Sequence, residues 1–258
     1  FKFKLPITDA AGANGVGGVS VDTDNAGFTT ALFAGDLQGN LWKVIFPSDK
    51  DDPSFWKLSH GDTPFAIFSD PLKGERQPVM AEPTLVAGPG KTTVVVVGTG
   101  RLLTISDLAD SQPQTVYGIW DVNNKNVSGT NARTRLKSRT VWVEGTLRVI
   151  GYEDVNALKP EADFVYGDKE PSKQGWYFDL PDFGEKMVFS PTGLRSVLFA
   201  NSIAPPTTPC STGTTWTCPL DGVMGRTEGS EKCTLSQQLA GKATPVALPV
   251  DLPLEGLT

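Results

Sequence analysis

Histidine is almost absent: His60, in LSHGDTPF, is the only one in 258 residues. That excludes histidine-based metal clusters and leaves a Ser-His-Asp triad a single candidate base, in a segment that reads as a turn. Cysteine is scarce too, at positions 210, 218 and 233, and without a CxxC pair no zinc-ligand spacing exists. No apolar run approaches the roughly 20 residues of a membrane-spanning helix; Val94 to Val97, within TTVVVVG, has the length of a strand. Basic residues do not dominate either. Lys and Arg total 23 against 29 Asp and Glu, a net charge of −6, whereas binding nucleic acid calls for a basic surface that neutralises phosphates. Windows with apolar residues at i, i+3, i+4 and i+7 are few and broken by Pro or Gly, so helices are not expected. The chain opens on FKFKLPITDAAGANG without an initiating Met or a signal peptide, and is expected to be a piece of something longer.

What is present is β-structure and turns. The chain holds 27 Gly and 20 Pro beside 39% hydrophobic residues, enough for a core and for many reversals. TALFAG (30–35), NLWKVIF (40–46), TTVVVVG (92–98), TVYGIWDV (115–122), TVWVEGTLRVIGY (140–152), QGWYFDL (174–180) and SVLFAN (196–201) are β-branched or aromatic runs bounded by turn formers. A weak repeat runs through them: apolar strand, Gly-bearing turn, Trp-bearing strand. Its copies are marked by Trp42, Trp120, Trp176 and Trp216, which fall 78, 56 and 40 residues apart. A repeated order of this kind fits β-propeller blades with aromatics packed between them, and a sandwich gives no reason for it. The expectation is an all-β propeller with quinoprotein-like blades, a partial ring of about four units over residues 1–225, followed by an irregular tail over 226–258.

SVDTDNAGFTTALFAGDLQGNLWKV, then QPVMAEPTLV, VVVVGTGRLL, SDLADSQPQTVYGIWD, QGWYFDL and PCSTGTTW, resembles in order the C-terminal β-propeller region of the PilY/PilC proteins. The resemblance covers about Gly18 to Trp216, and GDLQGNLWK and YGIWD are its most specific blocks. It implies an exported, non-enzymatic protein of the cell surface or pilus tip that passes through the periplasm. Such a protein supports type IV pilus assembly, opposes retraction and adheres through its surfaces. The partners implied are pilins or minor pilins and, in some members, host cells; the integrin-type RGD tripeptide is absent here. Two other readings of the blades are a periplasmic quinoprotein-like enzyme or scaffold, lacking the adjacent cysteines such enzymes carry, and a glycan-binding propeller if Trp56 and Trp142 are exposed.

Candidate site residues follow. DTDNAGFTT, counted as a calcium loop from Asp22, offers Asp22, Asp24, the Phe28 carbonyl and Thr30, with Gly27 at the turn. The family's loop resembles DxDxDGxxD, so Asp22 and Asp24 carry over as ligands, while Ala26 and Thr30 stand where carboxylates belong. The alternative is a metal-free Asx turn. In NARTRLKSRTVW, the cations Arg133, Arg135, Lys137 and Arg139 alternate with other residues; on a strand all four share one face. That face is either a basic binding stripe or a charged edge guarding against edge pairing. Cys210 and Cys218 would close a short loop if bonded to each other, the alternative being ordinary thiols; cysteines clustered in a Pro- and Thr-rich segment suit an exported protein. GPGKTT lacks the GxxxxGK[ST] spacing of a phosphate loop. Asp51-Asp52 and Asp168-Glu170 read as solvated loop pairs, and Asn126-Val127-Ser128 has the form of a glycosylation acceptor. In AGDLQGNLWKV, Asp36 and its glycines read as a hairpin corner, and Trp42 as packing between blades.

Overall fold

The structure is a computed structural model, described over residues 5–6, 14–47, 52–122, 132–194, 196–206, 213–229 and 231–237. The strands of the first sheet are β1 (Val16–Thr23), β2 (Thr29–Asp36), β3 (Asn40–Ile45), β4 (Lys57–Leu58) and β5 (Ala66–Ile67), ordered β1-β2-β3-β4 with β5 also on β3. The second sheet begins with β6 (Thr84–Ala87), β7 (Thr93–Gly98) and β8 (Thr115–Asp121). Before it resumes, the chain makes β9 (Lys137–Ser138), β10 (Val141–Glu144), β11 (Leu147–Ile150), β12 (Tyr152–Asp154) and β13 (Lys159–Pro160), then returns as β14 (Gly175–Asp179). The order of this sheet is β6-β7-β8-β14-β9, and β10–β11 and β12–β13 are separate two-stranded sheets. The third sheet joins β15 (Thr192–Leu194), β16 (Val197–Ala204), β17 (Thr214–Asp221) and β18 (Arg226–Thr227), with β19 (Thr234–Gln237) on β17. The three five-stranded sheets are propeller blades that do not close into a ring, and β6 touches both β1 and β15.

The all-β propeller expectation holds, but the repeat units do not each form a blade. The unit carrying Trp120 and the unit carrying Trp176 share one sheet, since β14 pairs with β8 through Tyr177 opposite Tyr117. The ADFVYG run of the third unit forms no strand. It makes a single bridge, Tyr166 to Lys173, while the Tyr166 ring packs on Phe164 and on Trp120, so apolar character there serves mainly side-chain packing. The expected irregular tail also starts too early. β18 and β19 lie within it and extend the third blade, and the polar CTLSQ sequence of β19 gave little strand signal; residues 238–258 lie outside the described residues.

The middle blade explains TTVVVVG. Val94 and Val96 point into a core shared with the third blade, which includes Trp176, Phe178, Leu198 and Trp216. Val95 and Val97 enter the core shared with the first blade, beside Phe33, Leu41, Phe65 and Tyr117. A strand buried on both faces reads as an unbroken apolar run. Close approach sets one glycine: a Cβ on Gly118 would sit 2.2 Å from the Trp176 ring. Polar ties join the blades too, with Lys43 of β3 bonding both oxygens of Asp121 on β8 at 2.8 Å, nearly out of solvent.

Candidate binding surfaces

Part of the acidity of the sequence is turn chemistry. Seven aspartates, at 24, 36, 52, 70, 110, 154 and 221, accept a hydrogen bond from the backbone N–H two residues on. This is the Asx turn that lets a short carboxylate replace a backbone acceptor at a reversal. Asp36 is the most committed. Its Oδ1 accepts from the amides of Gln38 and Asn40, both at 2.9 Å, and its Oδ2 from Asn14 Nδ2 at 3.0 Å, Asn40 Nδ2 at 2.8 Å and Trp42 Nε1 at 2.8 Å. Gly39 adopts φ +74° to complete the turn. Asp36 is wholly buried, so AGDLQGNLWKV is a corner, as expected. Trp42, however, shares a face with Ala34 and Val44, opposite to that of Phe33 and Leu41 which meet the middle blade. It fastens the corner, and packing between blades falls to Trp176 and Trp216.

The DTDNAGFTT segment is the loop between β1 and β2. Asp24 Oδ1 accepts from the amides of Ala26 and Phe28, each at 2.9 Å, and Gly27 takes φ +84°. Asp22 Oδ2 instead accepts from Thr93 Oγ1 of β7 at 2.9 Å, and Thr30 Oγ1 donates to the Asp22 carbonyl at 3.3 Å. The loop falls short of a full calcium ligand set: Asp24 Oδ1 is held inside its turn, Asp22 Oδ2 ties two blades, and Ala26 supplies no side-chain oxygen. Among the described residues no three His, Cys, Asp or Glu side chains gather as a metal-binding group.

The basic stripe is corrected. Ala132–Arg135 is a single 3-10 turn and only Lys137–Ser138 pairs as a strand, so the cations do not share one strand face. Arg133 lies on Tyr177, 4.6 Å from the ring centre, and binds Asp179 through two nitrogens at 2.5 and 3.1 Å. Burial works against its charge, but the Asp179 bond together with the charge interactions with Asp179, Tyr117 and Tyr177 outweighs it and raises the pKa. Arg135 pairs with Glu170 at 3.1 Å, and Lys137 reaches Glu161 at 3.9 Å. Arg139 is buried, pairs with Glu161 at 3.3 Å and donates to the Met224 carbonyl at 2.9 Å. There burial wins and lowers the pKa, with Glu161 offsetting it in part. Side chains at alternating positions thus serve as internal ties, because the carboxylates that meet them come from elements distant in sequence.

The disulfide is corrected as well. Cys218 bonds to Cys233, with an S–S distance of 2.10 Å and Cα atoms 4.1 Å apart. β19 pairs with β17 through Thr217 opposite Thr234, which places the residue before β19 beside Cys218. Cys210 lies outside the described residues, as do Asp51 and the Asn126 acceptor motif. The remaining sequence candidates are structural. His60 sits in a turn, Nδ1 2.5 Å from Ser59 Oγ and ring against Phe65. GPGKTT is a 3-10 turn leading into a strand. Asp168 accepts from Gln174, and Glu170 from Lys173 as well as Arg135.

A buried ion cluster not foreseen from sequence locks the insert to the third blade. Arg148, 1% exposed, grips Glu185 through two nitrogens at 2.7 and 3.0 Å, meets Asp182 at 3.2 Å and lies over Trp216. Ser202 donates to Glu185 from the facing strand. Asp182 and Glu185 lie more than thirty residues after Arg148, and Ser202 and Trp216 further still, which leaves no local pattern to read.

With its inner face so anchored, the β10–β11 hairpin turns the other face outward. Trp142 stands opposite Val149, and Glu144 opposite Leu147; the four line a groove of about 580 Å³ whose far wall includes Val155, Asn156 and Leu158. Trp142 is 46% exposed, and its Nε1 donates to the Tyr152 carbonyl at 2.7 Å. Trp56 instead packs edge-on against Phe46, 5.1 Å between ring centres.

Comparison with known proteins agrees with this architecture. The chain is 29% identical over 259 residues to the type IV pilus biogenesis factor PilY1 of Pseudomonas aeruginosa PAO1, and 30% over 262 residues to that of strain UCBPP-PA14; each alignment covers 86% of this chain and 22% of the relative. A PilY1 homologue of Xylella fastidiosa is 28% identical over 231 residues, 83% of this chain and 14% of the relative. The chain thus spans about a fifth or less of the length of these relatives. The crystal structure of the P. aeruginosa PilY1 C-terminal domain superposes with a TM-score of 0.68 at 25% identity, covering 86% of this chain and half of that domain. Residues 2–149 match the family model described as the PilY1 beta-propeller domain, and the chain belongs to that PilY1 family.

Proposed function

We propose that this chain is the propeller segment of a type IV pilus biogenesis factor that is exported through the periplasm to the cell surface or pilus tip. In this reading it supports assembly, opposes retraction and contributes to adhesion by binding pilins or minor pilins and host surfaces, without catalysing a reaction. The observation that carries the proposal is a likeness running in order along 86% of the chain to proteins named for pilus biogenesis. The Cys218–Cys233 bond supports export, since disulfides persist in oxidising compartments. The ion pairs that engage the candidate cations and the local bonds of His60 and the loop carboxylates support a non-catalytic role.

The test is an in-frame deletion of this segment within the full-length gene, with surface pili counted in cells that retract normally and in cells whose retraction is blocked. Pili lost in the first background and restored in the second support opposition to retraction. Loss in both supports assembly. Unchanged piliation in both refutes the proposal.

A further inference from the structure

We propose that the groove between the β10–β11 and β12–β13 hairpins binds a neutral glycan of one or two sugar rings, with Trp142 as the stacking platform. The inference does not rest on the pilus reading, because it follows from the groove alone. A sugar ring offers an apolar face of C–H groups and a rim of hydroxyls, so its receptor needs a rigid flat apolar surface flanked by mixed donors and acceptors. The hairpin supplies both. The bond from Trp142 Nε1 to the Tyr152 carbonyl holds the indole in one orientation, which reduces the ordering cost of binding, and that bond occupies the ring's only donor. What Trp142 presents to solvent is therefore a ring surface.

The polar groups select the class of ligand. Glu144 lies on the same hairpin face two residues along, and Asn156 stands in the opposite wall with Lys232 at the margin. Glu153 is paired with Lys159, and Asp154 Oδ1 caps the amides of Asn156 and Ala157 at 2.9 and 3.1 Å. Two of the three carboxylates of the groove are thus committed. Lys159 offsets Glu153 and Lys232 offsets one of Glu144 and Asp154, so the groove keeps about one net negative charge, which turns away acidic ligands and offers acceptors to polyol hydroxyls. A volume of about 580 Å³ falls within the small-ligand range of roughly 300–1,000 Å³. Leu147 and Leu158, 44% and 50% exposed, leave the entrance open to solvent.

The test titrates the intact, full-length protein with mannobiose, N-acetyllactosamine and lactose, and separately with a Lys- and Leu-rich peptide, by tryptophan fluorescence and saturation-transfer NMR. The proposal expects saturable binding of at least one disaccharide. Trp142→Ala should weaken it at least tenfold, Trp142→Phe and Glu144→Gln severalfold, and Trp56→Ala should leave it unchanged, all with a melting temperature within a few degrees of the parent. If Trp142→Ala does not fold, Trp142→Phe and Glu144→Gln decide the matter. No saturable sugar binding, binding indifferent to the Trp142 and Glu144 variants, or Trp142-dependent binding of the peptide alone would each overturn it.

Discussion

Two aspartates of similar sequence setting should respond very differently to the same single-atom change. Asp24 and Asp36 both precede a turn glycine by three residues and both cap their own turns. At Asp24, which is half-buried, one oxygen accepts both amide bonds. An asparagine can place its carbonyl there and turn its NH2 to water, so Asp24→Asn should cost no more than about 0.5 kcal/mol. At Asp36 both oxygens are spent. If the asparagine of Asp36→Asn keeps its carbonyl on the amides of Gln38 and Asn40, its NH2 confronts three N–H donors now 2.8 to 3.0 Å from Oδ2. Asn14 is exposed and can turn to water, but Asn40 and Trp42 are buried at 0% and 1% exposure. Each buried donor left without an acceptor costs about 1–3 kcal/mol, beyond the lost charge assistance. The sum predicts about 3–5 kcal/mol for Asp36→Asn. Urea unfolding followed by tryptophan fluorescence reads both variants, and a difference below about 1 kcal/mol would refute the assignment of Oδ2 as the acceptor that holds the corner.

Other expectations concern covalent structure, pH and metal. Non-reducing peptide mapping should recover Cys218 linked to Cys233, and replacing both by Ser should destabilise the protein by about 3 kcal/mol, the chain-entropy value for a loop of this length; a Cys210–Cys218 peptide would contradict the third blade. Burial pushes the Asp107 carboxyl up, but amide N–H bonds from Leu103 and Thr104 and the Arg101 guanidinium outweigh it and bring the pKa down from 3.8 to about 2. A depressed carboxyl contributes its stability above the unfolded pKa and loses it as pH falls through the folded value. Asp107→Asn should therefore remove at most about 2 kcal/mol at neutral pH and flatten the loss of stability between about pH 4 and 2, and parallel acid-unfolding profiles would refute this. Titration with calcium should give no saturable heat and no melting shift, because one oxygen each of Asp22 and Asp24 is already bonded within the protein and Ala26 supplies none; a saturable response abolished by Asp22→Asn would sink that account.

The blades were legible where a local pattern carries them. TTVVVVG announced a strand, and GDLQGN announced a corner through residues that Asx turns favour. The blade count was not legible. A unit of strand, turn and Trp strand says what each strand looks like, but not which strand it pairs with. β8 and β14 meet across residues 122–174, and the pairing of Tyr117 with Tyr177 leaves no trace at short range. β19 was invisible for a different reason. It is an outer strand of mostly polar residues, ordered by its bonds to β17 and by the disulfide at its start, and not by apolar alternation.

The same limit explains why the charged residues were harder to place than the apolar ones. An apolar side chain gains from burial against almost any apolar neighbour, so its periodicity alone tells which face goes inward. A cation gains little from burial unless a particular carboxylate waits for it, and for Arg133, Arg139 and Arg148 those carboxylates are Asp179, Glu161 and Glu185, each more than twenty residues away. Period-two spacing could therefore offer a basic stripe while the fold tied each cation to a carboxylate. Trp142 shows the converse. Its sequence context matches that of a packed β-strand aromatic, and it stays at the surface because its hairpin spends the opposite face, Arg148 and Ile150, on the core. Anchoring by a buried ion cluster on one side is what frees the other side to bind.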